Sequence, residues 1–273
     1  MSEQRQKSDR IFDGWAERFD ARIYADNNPK GLIREAVLRR DLREAILDRC
    51  NQPLNIIDVG GGLGRMAIWL AGQGHRVTLA EPSADMLKQA KSNAAGNASN
   101  TIVFLQKTLQ DLPADHAGEF DLVVCHAVLE WLARPRGAIG ALAKLLRDDG
   151  ILSLMFYNKH SAMMRSLVVG DFNRVESDNF AGDGKKRLAP ISPTDPDEVR
   201  TWLTANSLLV THWSGVRTFY DYMLPDVRLR ANSDDVLRNE LRLSTREPWR
   251  GIARYQHMIC RYQATETQSG LTG

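Results

Sequence analysis

The first 160 positions alternate short apolar runs with stretches of helical spacing. Positions 55–60 (NIIDVG) read as a buried strand, and 66–72 as the helix that follows a glycine-rich turn. Positions 76–81 (RVTLAE) form a second strand, followed by a helix that Ser83 can cap and that runs through Met86, Leu87 and Ala90. A third strand covers 101–106 and a fourth 121–126. A helix from about 136 to 147, ended by Gly150, leads into a fifth strand at 151–157. Strands spaced by helices of this length imply right-handed βαβ units and an open, doubly wound parallel sheet of Rossmann-like architecture.

Beyond position 158 the pattern loosens. Segment 159–197 carries Gly170, Gly182, Gly184 and prolines at 190, 193 and 196, and reads as an insertion with a short helix and a loop. Asp197 can cap the helix that follows, through Trp202 and Leu203. Strand-like stretches around 208–220 and 253–262 flank a second, Arg-rich insertion at about 221–252 that looks helical. These two strands are expected to close the sheet as an antiparallel hairpin, giving seven strands, mostly parallel, with helices on both faces. We expect one domain over 1–273, with its binding core at about 40–158.

The chain has 273 residues, of which 43% are hydrophobic and 26% charged, so extensive disorder is excluded. With 36 Lys+Arg against 34 Asp+Glu, it lacks the strongly basic balance of a protein that coats duplex nucleic acid. Cys50, Cys125 and Cys260 form no metal-ligand spacing, and two of them lie in apolar runs where a buried, inert thiol is expected. No metal is expected. The polar start and the lack of an apolar span predict a cytoplasmic protein without a membrane segment.

Candidate chemistry gathers where the strands end. Asp58-Val59-Gly60-Gly61-Gly62-Leu63-Gly64 leaves the first strand and enters a helix. Residues without Cβ let the backbone turn sharply and lie against a ligand, although many such turns only connect elements. The spacing is G-x-G-x-G, and Arg65 stands where a dinucleotide fingerprint has its last glycine. Glu81 ends the second strand, where a carboxylate can accept from vicinal ribose hydroxyls; the competing reading is a surface acid at the next helix. Leu109-Gln110-Asp111 follows the third strand and can meet a base edge, with a loop cap as the alternative for Asp111. His126 ends the fourth strand and faces the same crevice, a position where a lone histidine is otherwise structural.

As a set, Asp58–Gly64, Glu81, Gln110-Asp111 and the strand order resemble the class I S-adenosylmethionine-dependent methyltransferases over about 40–158. KGLIR (30–34), HAVLEW (126–131), LSLMFYN (152–158), the Lys-rich loop before Ser192-Pro193-Thr194-Asp195-Pro196, and GVRTFYDY (215–222) extend the resemblance to about 262. There it is similar to the bacterial enzyme family that methylates 5-carboxymethoxyuridine in tRNA. The resemblance implies an S-adenosylmethionine site at Arg34, Asp58, Gly60, Gly61, Gly62, Glu81, Leu109, Gln110 and His126. Arg34 would pair with the methionine carboxylate. Members of the family often have Asp where this chain has Glu81.

The implied reaction esterifies the carboxyl group of a wobble uridine (position 34) in the tRNA anticodon arm. A carboxylic acid of that kind is ionised at pH 7, so no catalytic base is expected, and positioning with desolvation should suffice. A cation must still select the carboxylate: Arg217, or Lys185, Lys186 and Arg187 in the insertion, where a solvated loop competes. Tyr220, with Phe219 and Tyr222, could stack an unpaired base or simply pack. Arg238, Arg242 and Arg246 would form a stripe that follows phosphates, in part paired by Glu240 or Glu247. A small-molecule carboxyl or O-methyltransferase remains an alternative on the same core, as does a binding protein without catalysis.

Overall fold

The computed structural model describes residues 8–19, 28–95, 101–182 and 189–263. Seven strands form one sheet: β1 (Asn55–Val59), β2 (Arg76–Ala80), β3 (Ile102–Leu105), β4 (Phe120–His126), β5 (Leu146–Tyr157), β6 (Leu208–Val216) and β7 (Tyr255–Tyr262). They are ordered β3-β2-β1-β4-β5-β7-β6. The first five pair in parallel, and β7 lies antiparallel between β5 and β6, the hairpin expected from sequence. β1 and β4 are neighbours while their chain connections run to opposite sides, so a crevice opens at their carboxyl ends.

Alternation along the strands sends side chains to two cores. Ile57, Val59, Val123, Cys125, Leu152, Leu154, Met258 and Cys260 pack on one face against Ile139, Leu142, Val199 and Leu203. Ile56, Val77, Leu79, Leu122, Val124 and Ile259 pack on the other against Leu42, Leu70, Leu87 and Ala90. The first face is covered by α4 (Pro135–Leu145) and α6 (Pro196–Thr204), the second by α1 (Pro29–Ala45), α2 (Arg65–Gly72) and α3 (Ala84–Ala94). Cys125 and Cys260 are buried as expected, and burial pushes both thiols up. Among the described residues no helix is long and apolar enough to cross a membrane.

Local signals are largely obeyed. Ser83 caps α3, accepting from the Met86 N–H, and Asn28 caps α1 by accepting from the Lys30 N–H ahead of Pro29. Two boundaries differ. α4 stops at Leu145, because the apolar Leu146 is already paired with Phe120 and residues 146–150 lengthen β5 through a bulge. The cap of α6 is Asp195, whose carboxylate accepts from the Asp197 N–H, so Asp197 falls in the first turn. The inserted segments supply α5 (Lys159–Val168) and α7 (Ser233–Leu243); Val236 of α7 joins Ile33, Val37 and Leu38 of α1 in a separate apolar cluster.

Candidate active site

The turn after β1 is shaped by positive φ at Gly60 (67°) and Gly62 (55°). A Cβ on Gly60 would lie 2.5 Å from Val128 Cγ2, whereas one on Gly62, a residue that lines the crevice, would meet nothing within 4 Å. The turn is pinned to β2: the Gly60 and Gly61 N–H groups donate to the Ala80 carbonyl at 2.7 and 3.3 Å. Glu81 fastens it from the side. Its carboxylate accepts from the Gly62 and Ser83 N–H groups, each at 3.0 Å, and is only 7% exposed. The surface-acid reading of Glu81 therefore does not hold. Burial raises its carboxyl above the ordinary range.

One cleft of about 1350 Å³, its open mouth included, is lined by all nine residues expected at the cofactor: Arg34, Asp58, Gly60, Gly61, Gly62, Glu81, Leu109, Gln110 and His126. Asp111 is not among them. It is exposed and accepts from the Thr108 hydroxyl at 2.6 Å, as a loop cap does. The cleft also has a wall that the pattern of the sequence did not announce. Asp9 accepts from the Gln110 side chain at 2.9 Å and the Ala133 N–H at 2.7 Å. Arg10 lies over Phe12, Trp15 and Trp131, with 4.9 Å to the first two rings and 5.6 Å to the third. No periodicity marks so short a segment, and the aromatic pair Phe12 and Trp15 was its one visible signal.

Two buried polar atoms in the cleft, Asp58 Oδ2 and His126 Nδ1, have no hydrogen-bond partner among the described residues. Burial, with the Glu81 charge adding to it, pushes Asp58 up to about 7 against the pull of the Ala67 N–H and Arg34. Burial holds His126 well below its ordinary value, helped by the charges of His257 and Arg34. A guanidinium, a neutral imidazole and a buried carboxyl, with Glu81 and Gln110 in the same cleft, suit a zwitterionic amino acid joined to a nucleoside. S-adenosylmethionine has that chemistry, and the open side of Gly62 leaves room for it.

A second polar group adjoins the cleft. Tyr255 is shared between Arg34 and Arg217, with 5.9 and 5.8 Å from guanidinium to ring. Arg254 lies 4.8 Å over Tyr157, which packs edge-on against Tyr255. Burial lowers the Lys30 amine, and the nearby charges of Arg217, Arg228 and Arg254 lower it further. Asp221, ion-paired with Arg217, opposes these cations. Glu130, 1% exposed and missed from sequence, faces Arg34 and Arg254, and burial pushes it up to about 7. The Nε atoms of Arg217, Arg228 and Arg254 are buried without acceptors among the described residues. This cation excess suits an anion.

The other expected RNA contacts fare unevenly. Lys185, Lys186 and Arg187 lie outside the described residues. Tyr220 is 6% exposed beneath Arg228, so it packs rather than offering a face for stacking. Tyr222 donates to the Ile252 carbonyl at 2.6 Å. The arginine stripe is broken: Arg238 pairs with Asp235 and Arg242 donates to Asn239, while Arg250 stacks on Trp213 in the short helix Trp249–Ile252. Glu240 does not pair that stripe. It is fully buried and accepts from the N–H groups of Thr218, Phe219 and Tyr220 and from the Thr218 hydroxyl at 2.6–3.2 Å, fixing the turn that presents Arg217 and Asp221.

The fold and the cleft define a class I S-adenosylmethionine-dependent methyltransferase. The methyltransferase domain family matches residues 57–154. Magnesium protoporphyrin IX methyltransferase from Synechocystis PCC 6803, solved with bound SAH, superposes with a TM-score of 0.61 at 17% identity, covering 92% of this chain and 96% of that one. The ubiquinone biosynthesis O-methyltransferase of Glaesserella parasuis is 28% identical over 161 residues, 56% of this chain and 68% of that one. The tRNA 5-carboxymethoxyuridine methyltransferase of Escherichia coli strain K12 is 37% identical over 254 residues, 93% of this chain and 96% of that one. The chain belongs to the family of that tRNA methyltransferase.

Proposed function

We propose that this protein transfers a methyl group from S-adenosylmethionine to the carboxylate of 5-carboxymethoxyuridine at the wobble position of tRNA, forming the methyl ester, in the cytoplasm where tRNA is found. The observation that carries this reading is the cation group of Lys30, Arg217 and Arg254 beside the cofactor cleft.

When bound, the cofactor supplies a methyl on a sulfonium; a carboxylate oxygen gains the C–O bond, and the S–C electron pair stays on the resulting thioether. Arg34 would hold the methionine carboxylate, Glu81 the ribose and Gln110 the adenine edge. The acceptor carboxylate arrives ionised, so the chain need not remove a proton. Its tasks are to select that charge with Lys30, Arg217 and Arg254, to keep water out with Tyr157 and Tyr255, and to align the two partners. Glu130 would repel the acceptor if ionised, and its raised carboxyl keeps a neutral form available near pH 7.

The test incubates the protein with S-adenosylmethionine and tRNA carrying 5-carboxymethoxyuridine, then analyses the nucleosides by mass spectrometry. A gain of one methyl, reversed by mild base, is expected. Arg217→Ala should lower that gain at least about tenfold while cofactor affinity stays within about twofold, because a hydrogen-bonded charge contributes about 1.5–3 kcal/mol. Cofactor bound with no methyl gained on this nucleoside would turn the reading toward small carboxylic acids.

A further inference from the structure

Residues 9–16 run across the carboxyl ends of the strands and are fastened on both sides. On one side Asp9 Oδ1 accepts from the Ala133 N–H at 2.7 Å, and the Arg10 N–H donates to the Trp131 carbonyl at 2.9 Å. On the other side the fastening is reciprocal. Asp13 Oδ1 accepts from the Ala84 N–H, at the start of α3, at 3.1 Å. Asp85 Oδ2 accepts from the Ala16 N–H at 3.2 Å, where a short helix Ala16–Phe19 begins. Ala133 follows β4 and Ala84 follows β2, with β1 between these strands, so the segment crosses the end of β1, where the glycine turn lies. Asp9, Arg10, Ile11 and Phe12 line the same cleft as that turn and Glu81.

Between its fastenings the segment is only lightly packed. Phe12 meets Trp131 edge-on at 4.8 Å and, with Trp15, lies partly buried on Leu63 and Met86. That small cluster shares no member with the two cores of the sheet. Asp9 and Asp13 are exposed. A segment held by a few surface hydrogen bonds and so little apolar contact can part from the molecule while the sheet stays folded. Asp9 also reaches a residue of the site, since its Oδ2 accepts from the Gln110 side chain at 2.9 Å. Gln110 follows β3 and Ala133 follows β4, so one carboxylate ties together the two loops that supply Leu109, Gln110, Trp131 and Leu132 to the cleft.

We propose that residues 9–16 are a strap that closes over the nucleoside part of the bound cofactor, with Asp9 as the positioning residue that ties it to Gln110 and Ala133 and so sets how fast the spent cofactor leaves. The closed strap helps keep water from the cleft, and S-adenosylhomocysteine can leave only when its fastenings part. The inference rests on the S-adenosylmethionine reading of the cleft. It adds to that site a segment well outside residues 57–154, which the methyltransferase domain family matches.

Two measurements test it on the full chain. Trypsin cleavage after Arg10 of the wild type, followed by mass spectrometry, should slow at least about fivefold in saturating S-adenosylhomocysteine, and this needs no variant. Stopped-flow tryptophan fluorescence then reads ligand release. Asp9→Ala removes two exposed hydrogen bonds and should release S-adenosylhomocysteine about 5- to 20-fold faster, with association changed by less than about twofold. Asp9→Asn, which keeps one acceptor oxygen, should fall between. Calorimetry with 5′-methylthioadenosine, which has the nucleoside and lacks the amino acid, should show the same factor lost in Asp9→Ala. Cleavage that the ligand does not slow, or release from Asp9→Ala within twofold of wild type, would overturn the strap. So would a loss confined to S-adenosylhomocysteine, which would move the effect to the amino-acid part. Binding of neither ligand to the wild type would instead overturn the cofactor reading, and the inference with it.

Discussion

Glu81 performs two tasks with one carboxylate, and truncation separates them. In the ligand-free protein it satisfies two backbone donors, at Gly62 and Ser83, both at 3.0 Å. Glu81→Ala removes both acceptors. A buried donor left unpaired costs about 1–3 kcal/mol, and water from the adjacent cleft can reach Gly62 more readily than Ser83. Taking the lower half of that range for each gives a loss of about 2–4 kcal/mol in folding stability. The ribose hydroxyls lose a charged acceptor as well, which predicts about 10- to 100-fold weaker binding of S-adenosylhomocysteine. Glu81→Asp is expected to fall between wild type and alanine in both. Urea denaturation followed by circular dichroism reads the first quantity, and titration calorimetry the second. A variant as stable as wild type would refute the structural half, that Glu81 holds the glycine turn. Unchanged affinity in a folded variant would refute the ribose half.

Two further outcomes follow from buried acids elsewhere. Glu240→Ala strips four hydrogen bonds from the turn at 218–220 and should cost about 3–5 kcal/mol of stability, measured by chemical denaturation; a loss under 1 kcal/mol would show that the turn holds without it. Asp58, raised from 3.8 to about 7 by burial, adds stability that is fully present below its unfolded value and lost as pH rises through about 7. Relative to Asp58→Asn, whose amide does not titrate, the ligand-free wild type should therefore lose up to about 4 kcal/mol between pH 4 and pH 8, and a difference that does not change with pH would refute the burial argument.

The alternation of strands and helices was legible because it is written locally. Strands buried on both faces read as short apolar runs, and the glycines after β1 stand where a positive φ is required. Caps were legible for the same reason, as at Ser83, and erred by two residues where Asp195 and Asp197 offered equivalent side chains. The crevice followed from strand order, and Glu81, Gln110 and His126, expected near the strand ends, line it. Arg34 was reached through family resemblance alone. It comes from a helix ahead of the sheet, and nothing local tells which side of that helix meets the cleft.

The sequence by itself determined the sheet, the turn that shapes the cleft and the acid at the end of β2, since each depends on neighbours a few positions away. Tertiary structure decided what the remaining charged residues do. Glu240 sits in a polar segment that reads as surface, yet its burial is tolerable because the N–H groups of Thr218, Phe219 and Tyr220, on a different segment, meet its charge. Asp41 and His257 show the same rule at its longest range. A carboxylate on the first long helix and an imidazole on the last strand become one hydrogen-bonded line only when the sheet has closed between them.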